Sequence, residues 1–116
     1  SKVLCKKIKQ RYNELEKNQY NNDMFFIRPA KTLNDIKDEA KQQNNCVYTN
    51  YSESYAWGDT DIYFLRELKS PKKSLVTVEV RNNKIRQKYQ GGNELVTEEQ
   101  KNFLNLWEKQ VIQKVA

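Results

Sequence analysis

Between residues 74 and 81 valines alternate with polar or charged residues, and this pattern constrains the fold more than any other part of the sequence. A period of two is typical of a β-strand with one buried face. Asn82 and Asn83 follow, and asparagine tolerates the positive backbone dihedrals of a tight two-residue turn. The pattern therefore predicts a hairpin whose second strand covers residues 84–90.

Weaker patterns complete the predicted fold. Residues 60–67 also alternate, so residues 60–90 predict a three-stranded antiparallel meander, and the apolar run ended by Pro29 predicts a further short strand. Helical spacing predicts helices from Lys2 to Asn18, after Thr32 and after Thr97, where Gln100 completes a capping box. We predict an α+β domain spanning residues 1–116, in which an antiparallel sheet of three to four strands packs against N-terminal, middle and C-terminal helices on one side.

The segment from residue 46 to residue 59 is ambiguous, because its closely spaced aromatic residues suit either a short helix or a packed loop. Trp107 lies on the apolar stripe of the last predicted helix, so we expect it in the core.

Composition excludes several classes of site. The chain of 116 residues contains no histidine and two cysteines without a Cys-x-x-Cys spacing. Ordinary zinc sites need Cys or His ligands in close spacing, and Ser-His-Asp or Cys-His catalysis needs an imidazole. The longest apolar run, residues 24–27, is far shorter than the roughly 20 residues that cross a bilayer. We therefore expect no metal, no cofactor, no membrane partner and no secretion signal.

Positive charge is concentrated in the predicted meander. The formal net charge is +6, and residues 66–88 hold eight basic residues against two acidic ones. Alternation along the last strand predicts that Lys84, Arg86 and Lys88 share one face, near the lysines of the preceding loop. Such a surface could follow a phosphate backbone, or it could be a solvated edge strand that prevents edge-to-edge pairing. The candidate binding residues are Lys72, Lys73, Arg81, Lys84, Arg86 and Lys88.

A second group of polar residues is a candidate site within the same region. Arg66 ends one strand and Glu79 lies inside the next, so we expect them to pair across the sheet, as a polar site or as a structural ion pair. Cys46 would be a nucleophile only if a cation or a helix N-terminus held it as thiolate, and otherwise we expect it to be a small buried core residue. We assign no catalytic residue. The candidate polar residues are Cys46, Tyr51, Arg66, Thr77, Glu79, Gln87 and Asn93.

The order of several short motifs resembles a known family. The motifs are Asn44-Asn45-Cys46-Val47, Tyr51, residues 62–66, residues 77–80, Gln87, Gly91, Asn93, Phe103 and Trp107. In this order they resemble the PcfJ-like domain of phages, conjugative plasmids and other mobile elements, over residues 26–112.

The chain departs from that family in two ways. In the family the cysteine normally follows one or two histidines, and the domain usually forms the C-terminal part of a longer protein. Here Asn44 and Asn45 precede the cysteine, and the domain fills almost the whole sequence. Because an amide does not titrate near neutral pH, the resemblance implies a domain kept for binding.

The resemblance implies a small protein of a mobile element. The two cysteines and the absence of an apolar signal-peptide core predict a location in the reducing cytoplasm of the bacterial host cell. We expect it to bind a host protein or ribonucleoprotein, and a CRISPR effector or other Cas nuclease that it inhibits is one hypothesis. Exposed aromatics such as Tyr48, Tyr55 or Tyr89 would anchor that contact. The alternative is a nucleic-acid-binding accessory of plasmid or phage DNA processing, and a Cys46-dependent enzyme is a third hypothesis.

Overall fold

The computed structural model describes residues 1–44 and 48–114, except for the side chains of residues 48–50 and 93. Its helices are α1 (Lys2–Leu15), α2 (Leu33–Gln42), α3 (Tyr48–Ala56) and α4 (Glu98–Trp107). Its strands are β1 (Tyr20–Asn21), β2 (Phe25–Pro29), β3 (Asp61–Glu67), β4 (Val76–Arg81) and β5 (Lys84–Gln90). Short 3-10 turns at Glu16–Asn18 and Gly91–Asn93 and a π turn at Glu108–Ile112 complete the chain.

The strands form one open antiparallel sheet in which each strand lies beside its neighbour in sequence. This confirms the α+β class and the meander, and β1 makes the sheet five-stranded rather than three- to four-stranded. Asn82 and Asn83 both have positive φ, 51° and 60°, which is the geometry expected of a tight hairpin between β4 and β5.

Side chains alternate across the sheet, so the strand register separates two faces. The apolar face carries fully buried residues of the three central strands, namely Ile27, Tyr63, Leu65, Val76 and Val78. The polar face carries Arg28, Phe64, Arg66, Thr77 and Glu79.

Helices cover both faces. On the apolar face, the ring of Trp107 in α4 lies 4.7 Å from that of Tyr63, and its Nε1 donates to the Asn18 carbonyl at 2.8 Å. On the polar face, Glu39 of α2 forms an ion pair with Arg66. The expectation that the helices cover one side is wrong, because the central strands are buried on both faces and each face needs its own cover.

Local capping fixes the starts of two helices where the sequence predicted them. Thr32 Oγ1 accepts from the Asp35 backbone N–H at 3.0 Å and begins α2. Thr97 and Gln100 form the capping box of α4, each side chain accepting from the other's backbone N–H.

The ambiguous segment contains helix α3, against which α1 packs. Arg11 of α1 donates through Nε to the Tyr55 carbonyl at 2.8 Å, and Ile8 is fully buried. None of the helices described is long and apolar enough to span a membrane.

Candidate functional site

An open cavity of about 400 Å³ lies at the end of the sheet where the β4–β5 hairpin turns. We call it the hairpin site, and it is lined by Tyr51, Glu79, Arg81, Asn82, Arg86 and Gln87. Members of both sequence-predicted groups meet here, because Tyr51, Glu79 and Gln87 belong to the polar group and both arginines belong to the basic group.

A β-bulge in β5 creates this arrangement. Val80 pairs with Ile85, but Glu79 pairs with Gln87, so Arg86 is the extra residue. A bulge places two residues opposite one, so Arg86 and Gln87 both face Glu79 on the polar face. Arg86 thereby joins the hairpin site.

The same bulge contradicts the expectation that the three cations of β5 share a face. Lys84 pairs with Arg81 at the polar face, whereas Lys88 pairs with Val78, a residue of the apolar face. Alternate residues of a strand share one face only while the register is continuous, and the extra residue in β5 interrupts the register.

The loop lysines, Lys72 and Lys73, lie at the opposite end of β4 from the hairpin. Five residues separate Val76 from Arg81, about 17 Å along an extended strand. The Lys72 carbonyl accepts from Gln42 Nε2 at 3.1 Å, which ties this loop to the end of α2. The expected proximity of the loop lysines to Lys84 and Arg86 is therefore wrong, and the six basic residues divide into separate groups.

Glu79 is the acidic residue of the hairpin site, and its carboxylate is held in place. Its side chain is 4% exposed, Thr60 Oγ1 donates to its Oε2 at 2.6 Å, and Arg81 Nε lies 3.4 Å from the same oxygen. Arg81 is about half exposed, so one edge of its guanidinium faces the carboxylate while part of the group faces solvent.

Lys84 and Arg86 are exposed. Within residues 1–44 and 48–114, neither of them has an acidic partner at salt-bridge distance. Their charges therefore remain available to an anionic ligand.

A buried network of polar side chains lies on the same face of the sheet as the hairpin site. Arg66 Nη1 donates to Glu39 Oε2 at 3.1 Å, and Thr77 Oγ1 donates to the same oxygen at 2.7 Å. Gln43 Nε2 donates to Thr77 Oγ1 at 3.0 Å and to Ser74 Oγ at 2.9 Å. The network joins α2 to the strand that carries Glu79.

Arg66 and Thr77 thus meet through Glu39, and the expected pairing of Arg66 with Glu79 is wrong. Each of the two residues has a different partner. Arg66 pairs with Glu39 of α2, and Glu79 pairs with Arg81 of its own strand.

Two tyrosines connect α3 to β5 at the edge of the hairpin site. Tyr51 and Tyr89 share a side-chain hydrogen bond. Burial, this hydrogen bond and the nearby charge of Glu79 raise the pKa of Tyr89 to about 12, so its hydroxyl stays protonated at neutral pH.

Comparison with known proteins identifies the family. Residues 1–104, most of the chain, match the family model described as PcfJ-like protein. The chain belongs to the PcfJ-like protein family. The match to the PcfJ-like model begins at residue 1, so it includes α1, which the resemblance over residues 26–112 left out. No curated protein and no solved structure matches this PcfJ-like chain.

Other sequence predictions for the PcfJ-like chain concern residues that are not part of the hairpin site. Cys46, with the asparagine before it, and the side chains of Tyr48 and Asn93 lie outside the described residues. Tyr55 is fully buried, and its hydroxyl donates to the Ala30 carbonyl at 2.7 Å, so it is not a surface anchor. Trp107 is in the core, as predicted.

Glu39 is the residue of this site that sequence reasoning missed. It lies three residues after Ile36 and beside Ala40, on the buried side of α2. A carboxylate on the apolar side of a helix needs a buried partner. The position of Glu39 on that side of the predicted helix was therefore the sequence signal that could have identified it.

The arrangement in the PcfJ-like chain is suited to holding an anionic group. Three cations, Arg81, Lys84 and Arg86, lie on one side of the hairpin, and we call them the hairpin cations. The Glu79 carboxylate beside them is already engaged by Thr60 and Arg81, and the Glu108 carboxylate accepts from the Ile85 backbone N–H between Lys84 and Arg86. Among the residues that the structure describes, no three acidic or cysteine side chains lie close enough to hold a metal ion.

Proposed function

We propose that this PcfJ-like protein binds nucleic acid through the phosphate backbone, as an accessory of phage or plasmid DNA processing in the cytoplasm of a bacterial host. The observation that carries the proposal is the β-bulge, which brings Arg86 to the face of Arg81 and Lys84. Clustered cations at one end of a sheet are the electrostatic footprint of a phosphate-binding surface.

The charges of the site favour backbone contact over base reading. Lys84 and Arg86 are exposed and Arg81 is about half exposed, whereas Glu79 is almost completely buried. An approaching strand therefore meets guanidinium and ammonium groups first. Each phosphate that they neutralise releases condensed counterions, which gives affinity without dependence on sequence.

The polar groups around the site support binding rather than chemistry. Glu79 accepts from Thr60 and pairs with Arg81, and Glu39 is held by Arg66 and Thr77. Neighbouring side chains of the fold therefore already engage both carboxylates.

Charge reversal at two matched sites tests the proposal. One variant combines Lys84→Glu with Arg86→Glu, and the control combines Lys72→Glu with Lys73→Glu at the other end of β4. Both variants change the net charge equally and alter exposed side chains. Binding to a fluorescently labelled 20-base-pair duplex is measured by anisotropy in 0.15 M salt.

The hairpin variant is expected to bind about 30-fold more weakly than wild type, which is the counterion contribution of two phosphate contacts at this salt concentration. The variant with Lys72→Glu and Lys73→Glu is expected to lose much less affinity for the duplex than the hairpin variant. Equal losses in both variants would show a response to net charge alone and would overturn the hairpin site as the binding surface.

A second candidate function is inhibition of a host ribonucleoprotein nuclease such as a CRISPR effector. The observation that favours it is an apolar cavity of about 310 Å³ beside β1 and α4, at which Met24 and Leu106 are 45% and 46% exposed. Exposed apolar side chains around a pocket are typical of protein-binding surfaces.

Affinity capture from a host that carries CRISPR nucleases tests this second candidate. The wild-type protein should retain a Cas subunit after exhaustive nuclease digestion, and the variant with Met24→Glu and Leu106→Glu should release it. Loss of every bound protein on digestion would contradict the inhibitor function and support direct binding to nucleic acid.

A further inference from the structure

Trp57 lies in the turn between α3 and β3 and is 58% exposed. Trp107, the other tryptophan of the chain, is fully buried. An indole with most of its surface in water contributes little to the core, so packing does not account for tryptophan at this position.

An open cavity of about 510 Å³ surrounds Trp57 between α1 and the end of α3. The Lys7 ammonium lies over the indole, 5.4 Å from the ring centroid, and Gln10 and Arg11 line the same cavity. This cation–π contact orients the indole while leaving much of it open.

The charges that line this cavity balance. Lys7 and Arg11 stand against Glu14 and Asp59, and Arg11 is already paired with Glu14 at 2.8 Å and with Asp61. Because the positive and negative charges that line this cavity cancel, it attracts phosphate only weakly. Its distinctive feature is the aromatic surface of Trp57.

Thr60 lies between this cavity and the hairpin site and contacts groups of both. Its carbonyl accepts from Arg11 Nη2 at 3.4 Å, and its hydroxyl donates to Glu79 Oε2 at 2.6 Å. Three residues take the chain from Trp57 to Thr60, at most about 11 Å, and the next residue, Asp61, pairs with Val80 beside Arg81, so both cavities lie at the same end of the sheet.

We propose that Trp57 is a stacking platform for an unpaired base of a nucleic acid strand whose phosphates contact the hairpin cations. The inference rests on the proposed function and deepens it, because it makes single-stranded nucleic acid the preferred ligand. Proteins that bind single strands combine a cationic surface with aromatic side chains on which bases stack. In a duplex the bases are already stacked and paired, and Trp57 has no unpaired base to contact.

Fluorescence titration with a 12-nucleotide oligodeoxythymidine tests the inference. Stacking of a base on Trp57 should quench its emission, while buried Trp107 supplies a constant reference signal. The variants are Trp57→Ala, the conservative Trp57→Phe, and Leu95→Ala, which truncates an apolar side chain that is 91% exposed on another segment. Binding to the same oligonucleotide and to a 12-base-pair duplex is measured in parallel by anisotropy.

Trp57→Ala is expected to weaken binding of the single strand about 5- to 150-fold, the range measured for loss of one base–aromatic stack. Trp57→Phe should recover much of this loss, and Leu95→Ala should bind like wild type. Duplex binding should change little in all three variants, and thermal unfolding should confirm that each remains folded.

Two results would overturn the inference, and they differ in what they say of the proposed function. Single-strand affinity that is unchanged in Trp57→Ala, with binding otherwise intact, would remove the stacking platform and leave the phosphate contacts standing. Absence of binding to both oligonucleotides would overturn the proposed function together with the platform.

Discussion

The guanidinium of Arg66 in β3 and the carboxylate of Glu39 in α2 form an ion pair in which the two side chains are only 3% and 1% exposed. Glu39 also accepts from Thr77, two residues before Glu79 on the same face of β4. The pair therefore anchors α2 to the strand that carries the acidic residue of the hairpin site.

Breaking this pair should destabilise the fold. Glu39→Gln removes the negative charge and leaves the Arg66 guanidinium buried without compensation, which typically costs about 3–5 kcal/mol. Asp38→Asn is the matched control, because it removes the same charge from an exposed neighbouring position. The free energy of unfolding, measured by urea denaturation, should fall by this amount in the first variant and by less than about 0.5 kcal/mol in the second. Equal stability of the two variants would mean that the pair does not hold α2 in place.

Truncation of the two tryptophans should change the stability of the fold by very different amounts. Trp107→Ala opens a cavity in the apolar face and removes the donor to the Asn18 carbonyl, so we expect a loss of about 3–5 kcal/mol. Trp57→Ala changes an exposed side chain and should alter the free energy of unfolding by less than about 0.5 kcal/mol. Chemical denaturation monitored by far-UV circular dichroism measures both, and a large loss in Trp57→Ala would show that the exposed indole has a structural role.

Local patterns predicted the hairpin well. The valine alternation of β4 and the asparagine pair after it are short-range signals, and the structure places the strand and the turn there. The caps of α2 and α4 were equally local, because each joins residues three positions apart.

The hairpin site could not be predicted in the same way, because it is formed by contacts between residues that are distant in the sequence. The bulge at Arg86 inverts the alternation for part of β5, and a one-residue change of register moves side chains to the other face. The partner of Arg66 lies 27 residues earlier in the chain, on a helix whose position over the sheet follows from packing. Glu79 pairs with Ile62, four residues before Arg66, so the register itself separates Arg66 from the carboxylate that the sequence prediction gave it.

The ion pair between Arg28 and Asp35 should make stability depend on pH in acid. Burial alone would raise the pKa of Asp35, but hydrogen bonds from Arg28 and the Lys31 backbone, with the charge of Arg28, lower it overall from the ordinary value of 3.8. Because the folded state binds this proton less readily than the unfolded chain, the carboxylate stabilises the fold above its unfolded pKa. That stabilisation is lost as pH falls through the folded value.

Comparison of wild type with Asp35→Asn measures this contribution. The difference in the free energy of unfolding should be constant near neutral pH and should narrow as the pH falls below about 4. A difference that stays constant throughout this acidic range would contradict the assignment.

Removing the charge of Glu79 should strengthen nucleic acid binding. Glu79→Gln keeps an acceptor for the Thr60 hydroxyl and frees Arg81 from its partner, while it removes a charge that repels phosphate. Coulomb's law in water for a phosphate about 6 Å away gives an increase in affinity of about threefold. Glu67→Gln, at the other end of the sheet, is the control and should bind like wild type. Weaker binding of Glu79→Gln would mean that the carboxylate positions Arg81 more than it repels the ligand.

The salt dependence of duplex binding tests the central claim most directly. The logarithm of the binding constant, measured for wild type and for the variant with Lys84→Glu and Arg86→Glu, is followed against the logarithm of salt concentration. If these two hairpin cations each contact one phosphate, the slope for the variant should be shallower by about 1.8, since each contact contributes about 0.9. Identical slopes for the two proteins would contradict the account, because the hairpin site would then make no phosphate contact.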